Sequence, residues 1–311
     1  MGRILRYVTG GLMVLALAAC AQVWRHSGSD SLTAAPDGAL RLASYNVHYI
    51  VLSQAEGPWS VADWDRRKGP LDAAFKTLDA DLVAFQEMES FQRGSDGSVN
   101  LARDWLLARN PDYAATHHGD WRVTPQTQPI FYRINRLEVL EEGWFFFSDT
   151  PDVIYSRTFN GSFPAFASWA RFRELSSGAE LRVVNVHFEF KSGSNRRLSA
   201  ALVADRLAVP LAKGERVALI GDLNARLGAQ THKILEDVGW TFLPTEGATY
   251  HFNRGVNLFG AIDHIALAGP MTSAGPPAVL RQMFEGEWPT DHYPLVADIL
   301  LSRDHTTITQ E

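Results

Sequence analysis

Short apolar runs recur between residues 40 and 301, each closed by polar or turn-forming residues. Leu40–Tyr49 alternates in part, and Asp81–Phe85 is compact. Leu181–Phe190 puts Val183, Asn185 and His187 on one face and Val184, Val186 and Phe188 on the other. Arg216–Ile220, Ala261–Leu267 and Leu295–Leu301 complete the set. Runs too short for a helix predict strands, and the nearly continuous ones suit strands covered on both faces. Segments with a helical period lie between them. Pro70 suits a first turn, after which Leu71, Ala74, Phe75 and Leu78 share a face. Asn195–Ala208 carries Leu198, Leu202 and Leu207 on one stripe, while Trp144–Phe147 and Trp169 read as core. Doubly covered strands with intervening helices predict a layered α/β domain.

The N-terminus has a different pattern. Arg3 and Arg6 precede a run of eight apolar residues, Leu12–Ala19, which alone is too short to cross a bilayer and fits the apolar stretch of a signal peptide. The run ends Leu17-Ala18-Ala19-Cys20, which resembles the bacterial lipobox, and Cys20 is the only cysteine of the chain. This predicts a lipoprotein signal peptide over 1–19, lipidation at Cys20 and anchoring in the cell envelope. Ala21 after the cysteine favours the outer membrane, facing periplasm or surface. The alternative is an ordinary signal peptide with Cys20 incidental. Residues 20–38, rich in Ser, Gly and Asp, read as a flexible tether, 39–302 as one domain, and 303–311 as a polar tail.

Composition then narrows the function. Net charge is −6, and removing 1–19, which holds Arg3 and Arg6 and no acid, takes it to −8. No overall field draws such a chain to polyanions, so nonspecific duplex binding is disfavoured. A single cysteine excludes an intramolecular disulfide. There is no GxSxG elbow and no HExxH helix, which leaves serine-esterase and zincin chemistry without support.

The polar residues that stand out follow or interrupt apolar runs: Asn46, Glu87, His187, Asp222 with Asn224, Asp263 with His264, and Asp291 with His292. Unpartnered buried carboxylates are expensive, so a chain that repeats them at strand ends is expected to gather them around a cation. Oxygen donors without thiolate predict a hard cation such as Mg²⁺, with Mn²⁺ as the alternative. Asp222 and Asn224 also suit an Asx turn.

Six segments in order carry a resemblance: Ser44-Tyr45-Asn46-Val47-His48, Phe85-Gln86-Glu87, Val184-Asn185-Val186-His187, Gly221-Asp222-Leu223-Asn224, Ile262-Asp263-His264-Ile265 and Thr290-Asp291-His292-Tyr293-Pro294. Together they resemble the endonuclease/exonuclease/phosphatase superfamily over about residues 40–301. The resemblance implies a four-layered α/β sandwich, two packed mixed β-sheets flanked by helices, that cleaves phosphoesters by attack of an activated water. It implies that Glu87 is the principal metal ligand with Asn46 beside it and Asp291 near the metal. It implies that Asp222 orients or deprotonates the water, that Asn224 holds phosphate or Asp222, that Asp263 orients His292, and that His292 and His187 act on the phosphoryl group. An arginine at 196 or 197 resembles one found there in the family.

Four positions depart from the pattern. His48 stands where many relatives carry an acid, Gln128 where an Asn often contacts phosphate, Ala261 where many carry Arg, and Glu189 where Asp is commoner. The expected substrate is a phosphoester of nucleic acid, a phospholipid headgroup or an inositol phosphate, with no protein partner implied. The competing expectation is a binding lipoprotein that kept the fold and lost catalysis. Its discriminator is loss of the Glu87, Asp222–Asn224 or Asp291–His292 groups, all of which are present.

Overall fold

A computed structural model describes residues 2–27, 32–91 and 99–302. The polar tail 303–311 and part of the tether, 28–31, lie outside the described residues. The elements in chain order begin α1 (Gly2–Ser27), β1 (Leu40–Asn46), β2 (Ile50–Val51), α2 (Val61–Leu78), β3 (Leu82–Gln86), β4 (Ser90–Phe91), α3 (Leu101–Arg109), β5 (Tyr113–Ala115), β6 (Ile130–Arg133) and β7 (Leu137–Phe146). They continue β8 (Phe166–Glu174), β9 (Glu180–His187), α4 (Gly193–Ala212), β10 (Val217–Asp222), α5 (Gln230–Glu236), β11 (Thr241–Phe242), β12 (Asp263–Ala268), β13 (Met271–Ser273), β14 (Ala278–Val279) and β15 (Leu295–Leu301).

Two large mixed sheets face each other. One runs β13-β15-β1-β3-β6-β5, with β14 on β15, and the other runs β11-β12-β10-β9-β8-β7. The same motif sits at the centre of both: β1 and β3 are parallel and flanked by antiparallel β15 and β6, while β10 and β9 are parallel and flanked by antiparallel β12 and β8. Alternation along the strands gives each sheet two buried faces. Leu40, Leu42, Leu82 and Ala84 meet Leu181, Val183, Ala218, Ile220 and Ile265 between the sheets. The outer face of the first sheet, with Ala43, Tyr45, Val83 and Phe85, packs on Leu71, Phe75 and Leu78 of α2 and Leu106 of α3. The outer face of the second, with Val184, Val186, Val217 and Leu219, packs on Val203 and Leu207 of α4 and Leu235 of α5. This is the expected four-layered α/β sandwich.

Several expectations are corrected in detail. Pro70 lies inside α2, which begins nine residues earlier behind the Ser60 cap, whose hydroxyl accepts from Asp63 N–H at 3.1 Å. The residues expected to share its face, Leu71, Ala74, Phe75 and Leu78, are all buried. In α4 the buried stripe is Asn195, Ser199, Ala200, Val203 and Leu207, and Leu198 is exposed. Small Ser and Ala let the helix approach the sheet, which the leucine count alone obscured. The tether reading fails for residues 20–27, because Cys20-Ala21-Gln22-Val23-Trp24-Arg25-His26 contains neither Gly nor Pro and extends α1 to Ser27. Tyr7–Ser27, 21 residues of mean hydropathy 1.6, is long and apolar enough to cross a membrane, a test that a signal sequence also passes.

Gly221 shows how tightly the second sheet is built. It has φ 149°, and a Cβ there would sit 1.9 Å from the Val186 carbonyl oxygen of the neighbouring strand. Gly221→Ala must therefore separate β9 from β10 directly beside Asp222. We expect a loss of at least about 2 kcal/mol, read as a lower urea midpoint with unchanged slope.

His232 of α5 is fully buried between Phe242 and His264, at ring distances of 4.5 Å each, and neither ring nitrogen has a hydrogen-bond partner among the described residues. Burial, aided by His264, pushes it down to about 3. Below its ordinary value of 6.5 the unfolded chain takes up a proton that the folded chain refuses. Its contribution to stability is therefore intact above pH 6.5 and is lost progressively as pH falls toward 3, by roughly a kcal/mol for each pH unit. His232→Leu should flatten that slope, measured as urea midpoints at pH 7 and pH 5.

Candidate active site

The faces that form the intersheet core turn polar at one end of the sandwich. Along β1 the inward residues run Leu40, Leu42, Ser44, Asn46; along β9 they run Leu181, Val183, Asn185, His187; along β10, Ala218, Ile220, Asp222. β12 runs the other way and starts with Asp263, so its carboxylate comes to the same end. The parallel centre strands therefore deliver their last inward side chains to one place, and the loops after β3 and before β15 add Glu87 and His292.

Beneath the site lies a sealed polar floor. Gln86 Nε2 donates to Asn185 Oδ1 at 2.7 Å, and Ser44 Oγ donates to Gln86 Oε1 at 3.3 Å. Asn185 Nδ2 donates to the Phe85 and Gln128 carbonyls at 2.8 and 3.2 Å. Ser168 Oγ donates to the Gln128 carbonyl at 2.6 Å, and Gln128 Nε2 to the Phe166 carbonyl at 2.7 Å. A buried network with its partners in place rigidifies the sheet ends. Gln128, one of the four departures from the family pattern, is thereby committed to the floor through its Nε2 and its carbonyl.

Above this floor the side chains converge. Asn46 Nδ2 donates to Glu87 Oε1 at 3.1 Å and to Asp222 Oδ2 at 3.2 Å, while Asn46 Oδ1 accepts from the His48 N–H at 3.2 Å. As oriented, Asn46 presents donors to the two carboxylates, so it ties them together rather than offering a ligand oxygen. His187 Nε2 lies 3.7 Å from both Glu87 Oε1 and Asp222 Oδ2. His292 Nδ1 is 2.9 Å from Asp263 Oδ2, and its Nε2 is 3.8 Å from Asp222 Oδ2. The Asn224 N–H donates to Asp222 Oδ1 at 2.8 Å, the Asx turn, and Asn224 Nδ2 donates to the Phe188 carbonyl at 2.9 Å. Asn224 thus holds Asp222 through its backbone while its amide group ties the turn to the segment that follows β9. Asp291 accepts from Thr290 Oγ1 at 3.3 Å and lies within electrostatic reach of His292, His48 and Tyr250. Glu87, Asn224 and His48 all have positive φ, at 53°, 47° and 62°. Non-glycine residues held there mark strain, and all three sit at this site.

Electrostatics separate the two central groups. Burial, reinforced by Asp263, pushes Asp222 up to about 6, against the pull of His292, His187 and the Asn224 N–H. Burial also opposes charge on His292, yet Asp263, Asp222 and Asp291 outweigh it and push the imidazole up to about 10. A carboxylate poised near neutrality thus faces an imidazolium held cationic by its partner acid.

The donor set fits a hard divalent cation. Asp222, Asp263 and His292 bring ligand atoms within 4.8 Å of one another. One Asp263 oxygen is engaged by Nδ1 of a cationic ring, however, and a cation repels a second cation, so these two read better as a dyad. Of the remaining acids, Glu87 and Asp291 could hold such a cation, and Asp222 stands between Glu87 and His292. Acids exceed cations in the pocket, and clustered carboxylates are costly to desolvate unless neutralised.

Other residues have other duties. His48 stacks with Trp59 and Tyr49 at 5.7 and 5.8 Å, and His264 Nε2 meets the Ala225 carbonyl at 2.9 Å on the outer face. Glu189 accepts from the Ser162 and Lys191 N–H groups at 2.6 and 3.0 Å, so it fixes loops at the rim. Sequence reading missed three contributors. Buried Arg67 donates to the Val47, His48 and Pro289 carbonyls at 2.8, 2.9 and 3.2 Å and so ties the turns around the site. Thr249 Oγ1 accepts from the Asp263 N–H at 3.1 Å, and Tyr250 pairs with His292, their rings 5.0 Å apart. The sequence carried no local signal for these, because each acts through a distant backbone.

With the geometry in view, comparison with known proteins is direct. An endonuclease/exonuclease/phosphatase family protein from Bacteroides thetaiotaomicron superposes with TM-score 0.70 at 22% identity, over 85% of this chain and 98% of that one. The mannosyl-6-phosphatase Bt3783 of the same organism gives TM-score 0.70 at 22% identity, over 84% and 100%. D. rerio TDP2 complexed with single-strand DNA product gives 0.60 at 17%, over 85% and 99%. The chain has the fold of these endonuclease/exonuclease/phosphatase proteins. No known family's sequence profile matches it, and no curated protein sequence does.

Proposed function

We propose that this chain is a metal-dependent phosphoester hydrolase, using Mg²⁺ or, alternatively, Mn²⁺. The observation that carries the reading is the single acid-rich pocket in which Asp222 lies between the Asp263–His292 dyad and the Asn46–Glu87 pair. Two structural neighbours are named for phosphoester chemistry, one a mannosyl-6-phosphatase and one held with a DNA product.

In this reading Glu87 and Asp291 would hold a dication, which would neutralise phosphate charge and lower the pKa of water. Asp222 Oδ2 accepts the proton of the attacking water, held in place by Asn46 and the Asn224 N–H. The imidazolium of His292 offers Nε2–H to a phosphoryl oxygen, with Asp263 fixing its tautomer, and His187 faces the phosphoryl group from the other side. The water oxygen bonds phosphorus, the ester P–O bond breaks, and the proton ends on the leaving alcohol. Phosphoryl transfer needs positioning and charge neutralisation more than covalent help, which suits such a set. The inactive-binding alternative has no support here, since the groups it should have lost are all in place. Cys20 is the proposed lipid attachment point, and the cell envelope the proposed location.

The test is turnover of bis-p-nitrophenyl phosphate and p-nitrophenyl phosphate with Mg²⁺ or Mn²⁺. Activity should vanish with EDTA and return when metal is restored. Glu87→Gln should raise the metal concentration needed for half-maximal rate. Metal-independent turnover, or none on a broad phosphoester panel, overturns the reading.

A further inference from the structure

We propose that the active-site cleft opens onto the membrane surface that anchors the chain, so that its substrate is the phosphoester of a lipid headgroup; this rests on the phosphoesterase reading above. A cleft of about 400 Å³ continues outward from the site, sharing Asn224 and Tyr250 with it. Arg196, Arg197 and Arg226 line this cleft in a chain whose net charge is −6. Arg196 is aimed by the Glu189 and Phe190 carbonyls, at 2.8 and 3.0 Å, and Arg226 lies over the Phe259 ring at 5.1 Å. The cationic lining suits an anionic headgroup.

The end of α1 is docked on the wall of the same cleft. The Ala248 N–H donates to the His26 carbonyl at 2.9 Å, and Asn257 Nδ2 to Ser27 Oγ at 3.2 Å. The His26 ring comes within 3.6 Å of where a Cβ on Gly260, another wall residue, would sit. From that wall a run of rings leads inward: Phe259 to Phe252 at 5.9 Å, Phe252 to Tyr250 at 4.6 Å, and Tyr250 to His292 at 5.0 Å.

The anchor ends within reach of this wall in either form of the N-terminus. If α1 stays, it is long and apolar enough from Tyr7 onward to insert in a membrane, with its last turn docked on the wall. If the chain is cut at Cys20 and lipidated, five residues lie between the lipidated Cys20 and His26, a rise of about 9 Å of helix. Trp24, 83% exposed, and Arg25 lie in the last turns of α1, the amphipathic and cationic types found at bilayer interfaces. On the rim, Phe163 and Phe190 are 73% and 57% exposed. Their loops are held together through Ser162 and Glu189. Exposed rings beside a cationic cleft fit a half-apolar, half-anionic surface.

The step is ordinary hydrolysis. Water oxygen adds to phosphorus, the P–O bond to the lipid alcohol breaks, and a water proton ends on that alcohol. The headgroup leaves with the phosphate, which keeps the remaining hydroxyl.

Hydrogen–deuterium exchange on the full chain tests the surface without using catalysis. It compares the chain in phosphatidylcholine/phosphatidylglycerol vesicles with the chain in nonionic-detergent micelles. Segments 188–193 and 252–260 should exchange severalfold more slowly in vesicles, while the 175–179 turn at the far end of β9 should not change. Equal exchange of the rim in both settings overturns the proposal. A second arm follows headgroup release from the same vesicles beside hydrolysis of bis-p-nitrophenyl phosphate. The Phe163→Ser/Phe190→Ser variant should lose most headgroup release and keep its rate on the soluble diester. Turnover of the soluble diester or of single-stranded DNA without headgroup release overturns the lipid assignment. Failure on every phosphoester instead overturns the phosphoesterase reading, and the exchange arm still judges the surface.

Discussion

Asp222→Asn should lower kcat on a phosphodiester by about 10³-fold while leaving the protein as stable as before or more so at pH 7. The change keeps the shape and leaves one oxygen for the Asn224 N–H. It removes the proton acceptor and sets an amide NH₂ against the amide of Asn46, which now donates to Asp222 Oδ2. The stability half follows from linkage. The folded acid is pushed up to about 6 from an ordinary 3.8, so above pH 6 the folded state bears the cost of a desolvated charge that the unfolded state does not. Removing the charge relieves that cost in metal-free protein, by on the order of a kcal/mol or more. Single-turnover rates and urea midpoints on the same preparation check both halves. A variant that is both slow and unstable would mean that Asp222 serves the fold, not the reaction.

His292→Ala should cost about 10³- to 10⁴-fold in kcat, and Asp263→Asn about 10²-fold. The decisive measurement is the double variant. In the proposed mechanism Asp263 acts on substrate only through His292, to which it is bonded at 2.9 Å. Once the imidazole is gone, the second change has nothing left to orient, so the double variant should be no slower than His292→Ala alone. Multiplying penalties would show that Asp263 works independently, for example as a ligand in the cluster it forms with Asp222 and His292. Wild-type turnover by His292→Ala would remove the dyad from the mechanism.

The parts of this arrangement that were legible in the sequence share a physical cause. Inward and outward residues of β9 are separable by eye because its period is two, and the pattern alone puts Asn185 and His187 on one face. Asn46, Asp222 and Asp263 stand out because a polar residue at the edge of an apolar run must find partners. What stayed hidden depends on distance along the chain. Arg67 reaches backbone carbonyls 20 and 222 residues away, and its local ion pair with Asp63 at 3.3 Å announces neither of them. β7 and β8 escaped notice because half-exposed faces interrupt their apolar pattern with Glu and Arg, which pair across the strands, as Arg173 does with Glu138 at 3.1 Å. The extent of α1 was missed because a reading for targeting looks for where a helix is cut, and the residues beyond Cys20 simply continue it.

Core residues and site residues occupy the same parity on β1, β9 and β10, which has a consequence for how such a chain can vary. Slipping the register of any of these strands by one residue would send its core residues to the helices and its site residue into the wrong layer at the same stroke. Folding competence and chemistry are therefore inherited together in those segments. Length changes should survive only in the connecting turns, so that new substrate ranges arise by exchanging loops over an interior that cannot drift.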